Sequence, residues 1–261
     1  MPTAPTPEEI FDRAVEEGNR RLDQPLFELV ATSFIAGFTV VFGIAALGVV
    51  EALVEPEFGE SARIAGALAF GPGIVFLVVG RAELFNENFF DPVAAAVDRD
   101  SWPYTGLVRL WVITFLFNLV GGVLFVLVFA VEGVLPADSP EALATIAEEV
   151  VRQRPLTGFA SGIVGGTLVT LLSFLLQAVD GIGSRILLAY VVGSLLALGP
   201  FDHVVVTVLH VVFGILFGAS VGYGALARTA AVVTAGNLVG GLGLGTFTHV
   251  VQALSARKAD D

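Results

Sequence analysis

The sequence contains no cysteine and only one lysine, Lys258, beside twelve arginines. The absence of cysteine excludes disulfides, thiolate metal sites and cysteine nucleophiles. Only 15% of the 261 residues are charged and 55% are hydrophobic, which argues against a soluble enzyme. The formal net charge of −12 argues against binding to nucleic acid or to anionic lipid surfaces. An acidic, lysine-poor composition is typical of a halophile, although a GC-rich genome also favours arginine over lysine.

Motifs for catalysis are lacking as well. The sequence has no metal-ligand cluster, no nucleophile elbow and no phosphate-binding loop, so it predicts a protein that is not an enzyme and that needs neither metal nor cofactor. It also has no Asn-Pro-Ala motif. What it has instead is long stretches without charge.

Seven stretches contain no Asp, Glu, Lys or Arg: 29–50, 64–80, 110–131, 155–179, 186–201, 203–227 and 229–256. A helix needs about 20 apolar residues to cross the hydrocarbon core of a bilayer, so five of these stretches are long enough and two are short. The two short stretches end at polar residues, in the segments 80–88 and 199–203. These segments are the candidate interruptions of membrane-spanning helices.

An internal repeat fixes the expected number of spans. Residues 117–123 (FNLVGGV) match residues 236–242 (GNLVGGL) at an offset of 119, and the same offset pairs Glu83 with Asp202. A third match pairs Ser33 with Ser161 at an offset of 128. Each half then contains a span, an interrupted span and a span, and an odd number of spans requires opposite orientations. The sequence predicts an all-α membrane protein with six transmembrane helices, arranged as two inverted three-helix repeats with broken second and fifth helices.

The termini are expected in the cytoplasm. Residues 1–28 read as a cytoplasmic amphipathic segment with a helix over 8–27, residues 29–256 as the six-helix transporter domain and 257–261 as a cytoplasmic tail. Eight basic residues near span ends would lie inside and four outside, which favours this orientation in the plasma membrane. Outside, a short helix is expected after Ser139 as N-cap, with Pro140 at its first position.

The interruptions place ionisable residues near mid-membrane, where each costs roughly 2.5–3.5 kcal/mol. One interpretation is structural neutralisation, in which Arg81 pairs with Glu83 or Glu87. The other is a pore, because both halves carry the interruption at the same repeat position. For a pore, His203 with the neighbouring Asp202 predicts a proton relay, since histidine titrates near pH ~6.5.

Four more polar residues lie in otherwise apolar helices. His210 and His249 are interpreted as satisfied core side chains, although His210 lies two turns after His203 and could extend the relay. Asn118 and Asn237 hold equivalent repeat positions, and a buried amide must find a partner. Two roles stay open for them: bonding to the interrupted backbone, or contact with a substrate.

Four segments carry a resemblance to a known family: Arg81-Ala-Glu-Leu-Phe-Asn86, Pro200-Phe-Asp-His203, Asn118-Leu-Val-Gly-Gly122 and Asn237-Leu-Val-Gly-Gly241. In this order and repeat phase they resemble the formate/nitrite transporter family, over essentially residues 33–252. The resemblance implies an aquaporin-like fold and a homopentamer with one pore per protomer in the lipid bilayer. It also implies passage of small monovalent anions such as formate, nitrite or hydrosulfide, with protons as partners.

The resemblance assigns roles to individual residues. It implies that His203 is the central pore histidine and that Asn86 replaces a family threonine on the loop opposite. The apolar residues that would line the pore or its constrictions are Leu84, Phe85, Phe201, Leu196, Ile74 and Phe70.

Besides Asn86, three positions depart from the family pattern. Ser161 and Gly166 stand where the family commonly has Lys and Asn, and Arg81 stands where it has a small residue. We expect Arg81 to restore the missing positive charge near the pore. The predicted function is transport of small weak-acid anions, with a channel for neutral solutes or water as the alternative.

Overall fold

The structure is a computed structural model that describes residues 5–99 and 102–260. Of residues 258–260 it describes the backbone alone, and the ends of the predicted segments 1–28 and 257–261 lie partly outside the described residues. Within the described residues the helices are α1 (Pro7–Asp23), α2 (Leu26–Phe58), α3 (Ala62–Val79), α4 (Phe90–Asp98), α5 (Tyr104–Phe129), α6 (Ser139–Arg152), α7 (Pro155–Gln177), α8 (Ile182–Leu198), α9 (Val204–Leu216), α10 (Tyr223–Leu238) and α11 (Phe247–Asp260). Short 3₁₀ turns lie at 59–61 and 86–88, and residues 239–246 form a wider π-helical segment.

The amphipathic helix predicted near the N-terminus is present as α1. It begins with a capping box, in which the Thr6 side chain accepts from the Glu9 N–H and the Glu9 carboxylate accepts from the Thr6 N–H. The helix ends at Asp23 rather than at residue 27, because Pro25 disfavours helical backbone at the residue before it. The next helix, α2, begins at Leu26 directly after this proline.

Four stretches are long and apolar enough to cross a membrane: Leu26–Val79, Tyr104–Phe129, Pro155–Gln177 and Tyr223–Arg257. The first of them contains two helices, α2 and α3. The apolar helices α8 and α9 are each shorter than a full span and follow one another across a break. The hydropathy and length of the four long stretches make the chain a multi-pass membrane protein.

The short helix predicted between the two halves is α6. It begins at Ser139 itself, one residue earlier than predicted, so that Asp138 precedes it and Pro140 occupies the second helical position. Apolar side chains of α6, among them Leu143 and Ala147, are fully buried. Gly48 of α2 and Gly214 of α9 lie directly against these two side chains. The helix therefore covers the ends of α2 and α9.

One apolar cluster fills the centre of the molecule. It joins side chains of α2, α3, α7, α8 and α9, and it includes Phe70, Leu84, Leu196 and Val204. The two interrupted segments, 80–89 between α3 and α4 and 199–203 between α8 and α9, both border this cluster. The interruptions therefore occur where the sequence predicts them, and they lie next to the shared core.

Candidate functional site

The first interruption begins with a change of backbone conformation at Arg81. This residue has φ +52°, and the Ala82 N–H donates to the Leu77 carbonyl at 3.0 Å. A left-handed residue followed by such a bond closes the C-terminus of many helices, usually with glycine at the left-handed position. The chain leaves α3 here, and α4 begins only at Phe90.

The second interruption has a different backbone. Gly199 is extended, Pro200 has no N–H to donate, and the Phe201 N–H donates to the Gly199 carbonyl at 2.7 Å. His203 precedes the first residue of α9 in extended conformation, and its carbonyl accepts from the Thr207 N–H at 2.8 Å. His203 is thus held at the N-terminus of α9 by its backbone, while its side chain stays available.

Two asparagines complete the hydrogen bonds of the interrupted backbone. The Asn118 Oδ1 accepts from the Phe85 N–H at 3.0 Å, and the Asn237 Oδ1 accepts from the Val204 N–H at 2.9 Å. Their Nδ2 groups donate to the carbonyls of Glu83 (2.9 Å) and Asp202 (2.7 Å). These partners are 119 residues apart in each case, as the internal repeat predicts.

A third bond ties each asparagine to the helix beside it. Asn118 Nδ2 donates to the Ser33 carbonyl and Asn237 Nδ2 to the Gly162 carbonyl, both at 2.8 Å. These acceptors are 129 residues apart, one more than the offset in the sequence alignment. Both amides are fully buried and bonded to backbone at each end. Of the two roles left open for them, this geometry matches bonding to the interrupted backbone and leaves no free amide group for a substrate.

The carboxylates of the first interruption pair with α1. Arg21 is 6% exposed, and its guanidinium lies 3.2 Å from a carboxylate oxygen of Glu87, 3.6 Å from Glu83 and 3.6 Å from Asp91. It also donates to Asn88 Oδ1 at 3.1 Å. The predicted pairing of Arg81 with Glu83 or Glu87 is therefore wrong, because arginine from the N-terminal helix occupies that place.

Arg20 and Glu17 extend this network towards the surface. The Arg20 guanidinium lies 3.0 Å from Glu83, and Glu17 accepts from both Arg20 and Arg21. Burial alone would raise the pKa of Glu17, but hydrogen bonds and positive charge from Arg20 and Arg21 lower this pKa to about 2. The carboxylate of Glu17 thus stays charged and supports both arginines.

The second interruption holds an unpaired imidazole. His203 is 1% exposed, and neither ring nitrogen has a hydrogen-bond partner among the described residues. Asp202 does not bond to it. One carboxylate oxygen of Asp202 accepts instead from the Thr207 hydroxyl at 3.3 Å. His203 and Asp202, which the sequence predicts as a proton relay, are therefore not hydrogen-bonded to each other.

A cavity of about 890 Å³ reaches His203 from the face of the molecule that carries α6. Among the predicted site residues, its lining includes Asp202, His203, Phe201, Leu196 and Phe70, together with His210 further along α9. A buried histidine therefore borders a cavity that side chains of α2 and α6 also line.

The lining of this cavity is acidic. Its carboxylates come from Glu51, Glu55, Glu60, Asp138, Glu141, Glu149 and Asp202. Arg63 is the basic side chain among the described lining residues, and it pairs with Glu60 at 3.1 Å and Glu149 at 2.7 Å. We call the part of the cavity bordered by these side chains the acidic vestibule.

The other predicted site residues lie outside the lining of this cavity. Leu84, Phe85 and Ile74 are buried in the central apolar cluster that also contains Phe70 and Leu196. Asn86 is fully buried, and its side-chain amide has no hydrogen-bond partner among the described residues. These side chains are therefore buried in the protein and not in contact with the cavity.

Arg81 lies at the surface and is not among the described residues that line the cavity. Its attraction of anions stays a prediction. His249 has the environment expected of a satisfied side chain, since its Nδ1 lies 2.7 Å from the Gly245 carbonyl and its ring lies 3.9 Å from the Phe174 ring. His210 differs, because its Nε2 is buried without a described partner and borders the cavity.

Sequence reasoning missed two features of the site. The first is the contact of α1 with the first interruption, although Glu83, Glu87 and Asp91 recur every four residues and therefore required a cation nearby. The second is the acidic vestibule, most of whose carboxylates come from α2 and α6. No local pattern marks these two helices as neighbours, because they are separated by three other helices in the chain.

The fold and the cavity define a helical membrane channel or transporter. A family model described as "Formate/nitrite transporter" matches residues 8–251, and the chain belongs to this family. It is 29% identical over 245 residues to a "Probable formate transporter" of Methanothermobacter thermautotrophicus, covering 83% of this chain and 85% of the relative. It is 23% identical over 234 residues to the "Inner membrane protein YfdC" of Escherichia coli, covering 89% and 74%.

Solved structures share the fold. A protein described as "FNT family ion channel" matches with a TM-score of 0.80 at 18% identity, over 96% of this chain and 98% of the other. A "Pentameric formate channel with formate bound" matches with a TM-score of 0.67 at 19% identity, over 89% and 100%. The all-helical prediction is confirmed at the level of this fold.

Proposed function

We propose that the chain conducts small monovalent anions of weak acids, of the formate, nitrite and hydrosulfide class, and that His203 assists their proton transfer. The observation that carries the proposal is the cavity that ends at a buried imidazole with two unpartnered nitrogens among the described residues. The family and the likeness to a formate-bound channel support this substrate class.

The apolar residues of the central cluster explain why a proton is needed. Phe70 and Leu196 line the cavity, and both belong to the same apolar cluster as Leu84 and Phe85. Moving a bare anion through such surroundings is costly, whereas a neutral acid passes far more easily. His203 exchanges a proton with the permeating molecule, directly or through water, and Asp202 borders the same water-accessible space.

The proposal includes a topology and an assembly. Six spans form two inverted repeats in the plasma membrane, each with one interrupted helix. Both termini lie in the cytoplasm. The matching bonds of Asn118 and Asn237 support the repeat. The likeness to a pentameric channel supports a homopentamer with one pore in each protomer.

The test is uptake of formate into liposomes that contain the purified full chain. We expect uptake to rise as external pH falls, and His203→Phe to abolish this pH dependence. His249→Phe is the matched control, because it removes an imidazole that is bonded outside the cavity. Retained pH-dependent uptake in His203→Phe would contradict the proton role of His203.

A channel for neutral small solutes or water is the second candidate. The observation that favours it is the acidic vestibule, which repels anions. Light scattering after osmotic shock separates the two functions. Rapid shrinking and swelling of liposomes, without formate uptake at any pH, would support the second candidate and reject the first.

A further inference from the structure

The acidic vestibule concentrates negative charge in front of the pore. Glu51 and Glu55 come from α2, and Glu141 and Glu149 come from α6, so that two helices face each other with carboxylates. Of the vestibule carboxylates, Glu60 and Glu149 pair with Arg63, which leaves the others without a described cation. A clustered excess of one sign raises or lowers the local concentration of ions by factors of roughly 10 to 10³.

Two neutral groups lie behind this charge. His203 and His210 are both more than nine-tenths buried and border the same cavity, and each has an imidazole nitrogen without a described partner. Among the described residues, neither forms an ion pair with a carboxylate, and burial of an unpaired charge is costly, so neither supplies a fixed positive charge that would offset the vestibule. A molecule that enters the cavity therefore meets carboxylates, two buried imidazoles and apolar side chains such as Leu196 and Phe70.

We propose that the acidic vestibule excludes bare anions, so that a weak acid enters the pore from this face only in its neutral, protonated form. This inference rests on the proposed function and specifies the form of its substrate. Because it makes entry itself depend on pH, the effect of His203→Phe on pH dependence is measured in the Glu55→Gln/Glu141→Gln background, where bare anions are no longer excluded. The repulsion acts on formate as an anion and leaves formic acid unaffected. The same carboxylates attract protons and so favour the neutral form close to the pore.

Ionic strength gives the proposal a second signature. Charges at the mouth of a cavity are screened by salt, over a distance of about 10 Å at 0.1 M and about 3 Å at 1 M. Exclusion of anions should therefore weaken as salt is raised. Permeation of the neutral acid should not change.

The test neutralises vestibule carboxylates that make no described ion pair. Glu55→Gln/Glu141→Gln removes one charge from α2 and one from the start of α6, both at exposed positions lining the cavity. The matched control, Glu57→Gln/Glu132→Gln, removes two exposed charges near the same chain segments but outside the lining. Formate uptake into liposomes is measured at neutral and acidic pH, in low and high salt.

We expect the vestibule variant to take up formate about tenfold faster than wild type at neutral pH and low salt, the lower end of the range for charged clefts. The difference should shrink at acidic pH and in 1 M salt, and the control should behave as wild type. Glu51→Gln, deeper in the cavity, should act in the same direction.

Two results would overturn the inference while leaving the proposed function intact. One is uptake at neutral pH that is equal in the vestibule variant and its control. The other is wild-type uptake of methylammonium that exceeds that of formate and falls in the vestibule variant, because it would mean that the carboxylates recruit a cationic substrate. A wild-type protein that passes no weak acid at any pH would refute the proposed function and this inference together.

Discussion

The two interruptions share a backbone arrangement and differ in their charges. In each, an asparagine 33 residues further along the chain accepts from an N–H at the start of the next helical segment. The first interruption is packed with carboxylates that pair with Arg20 and Arg21 of α1. The second presents a neutral imidazole to a cavity.

This difference separates the interruption that is held by ion pairs from the interruption that borders the cavity. In both halves of the internal repeat, an asparagine side chain bonds to backbone groups that the interruption leaves unpaired. Such a bond is needed because every N–H and C=O at membrane depth needs a partner. The side chains then diverge. The ion pairs tie the first interruption to the N-terminal helix. His203 makes no side-chain hydrogen bond among the described residues, as the proposed proton exchange requires.

The largest effect should come from removing Arg21. Arg21→Met leaves Glu83, Glu87 and Asp91 buried without their shared cation, which costs about 3–5 kcal/mol. Thermal melts in detergent should show a drop of roughly 10 °C, since about 2–4 °C corresponds to 1 kcal/mol for a domain of this size. His203→Phe should melt close to wild type, because its ring makes no described hydrogen bond.

Rescue distinguishes an electrostatic cause from loss of packing. Adding Glu87→Gln and Asp91→Asn to Arg21→Met should restore much of the lost stability, because the uncompensated charges are removed. Arg20→Met should cost less, since its side chain is 41% exposed. Equal losses of melting temperature in Arg20→Met and Arg21→Met, with no recovery in the rescue variant, would contradict a special role of the buried ion pairs in stabilising the first interruption.

The next effect compares the two asparagines. Asn118→Ala and Asn237→Ala each leave one backbone N–H and one carbonyl of the interrupted segment without a partner in buried surroundings, at a cost of about 1–3 kcal/mol for an unsatisfied buried group. We expect similar losses of melting temperature in both variants. A loss in only one of them would show that the two interruptions are not energetically equivalent, despite their matching bonds.

Much of this comparison follows from the sequence. Apolar stretches of limited length, with Gly199 and Pro200 at one boundary, predict interruptions in the right places. The equivalent positions of Asn118 and Asn237 predict equivalent partners, because a buried amide must be bonded. These features are local or repeated, and so they are visible without coordinates.

The partners of the charged side chains could not be predicted from the sequence. The contact between Arg21 and Glu87 joins residues 66 positions apart, and no periodicity in the chain specifies where α1 docks. The acidic vestibule likewise depends on the packing of α6 beside α2. The sequence predicts ionisable residues at the two interruptions. Which side chains they pair with is determined by the packing of helices that are distant in the chain.

The smallest effect should come from Arg81, at the one non-glycine residue with positive φ in the described part of the chain. A left-handed conformation costs a non-glycine residue roughly 1–2 kcal/mol, so Arg81→Gly should be more stable than Arg81→Ala by about 1 kcal/mol. Both variants remove the same charge. Equal formate uptake in both and in wild type would assign Arg81 a backbone role. Uptake that is lost in both and kept in Arg81→Lys would instead support the predicted attraction of anions.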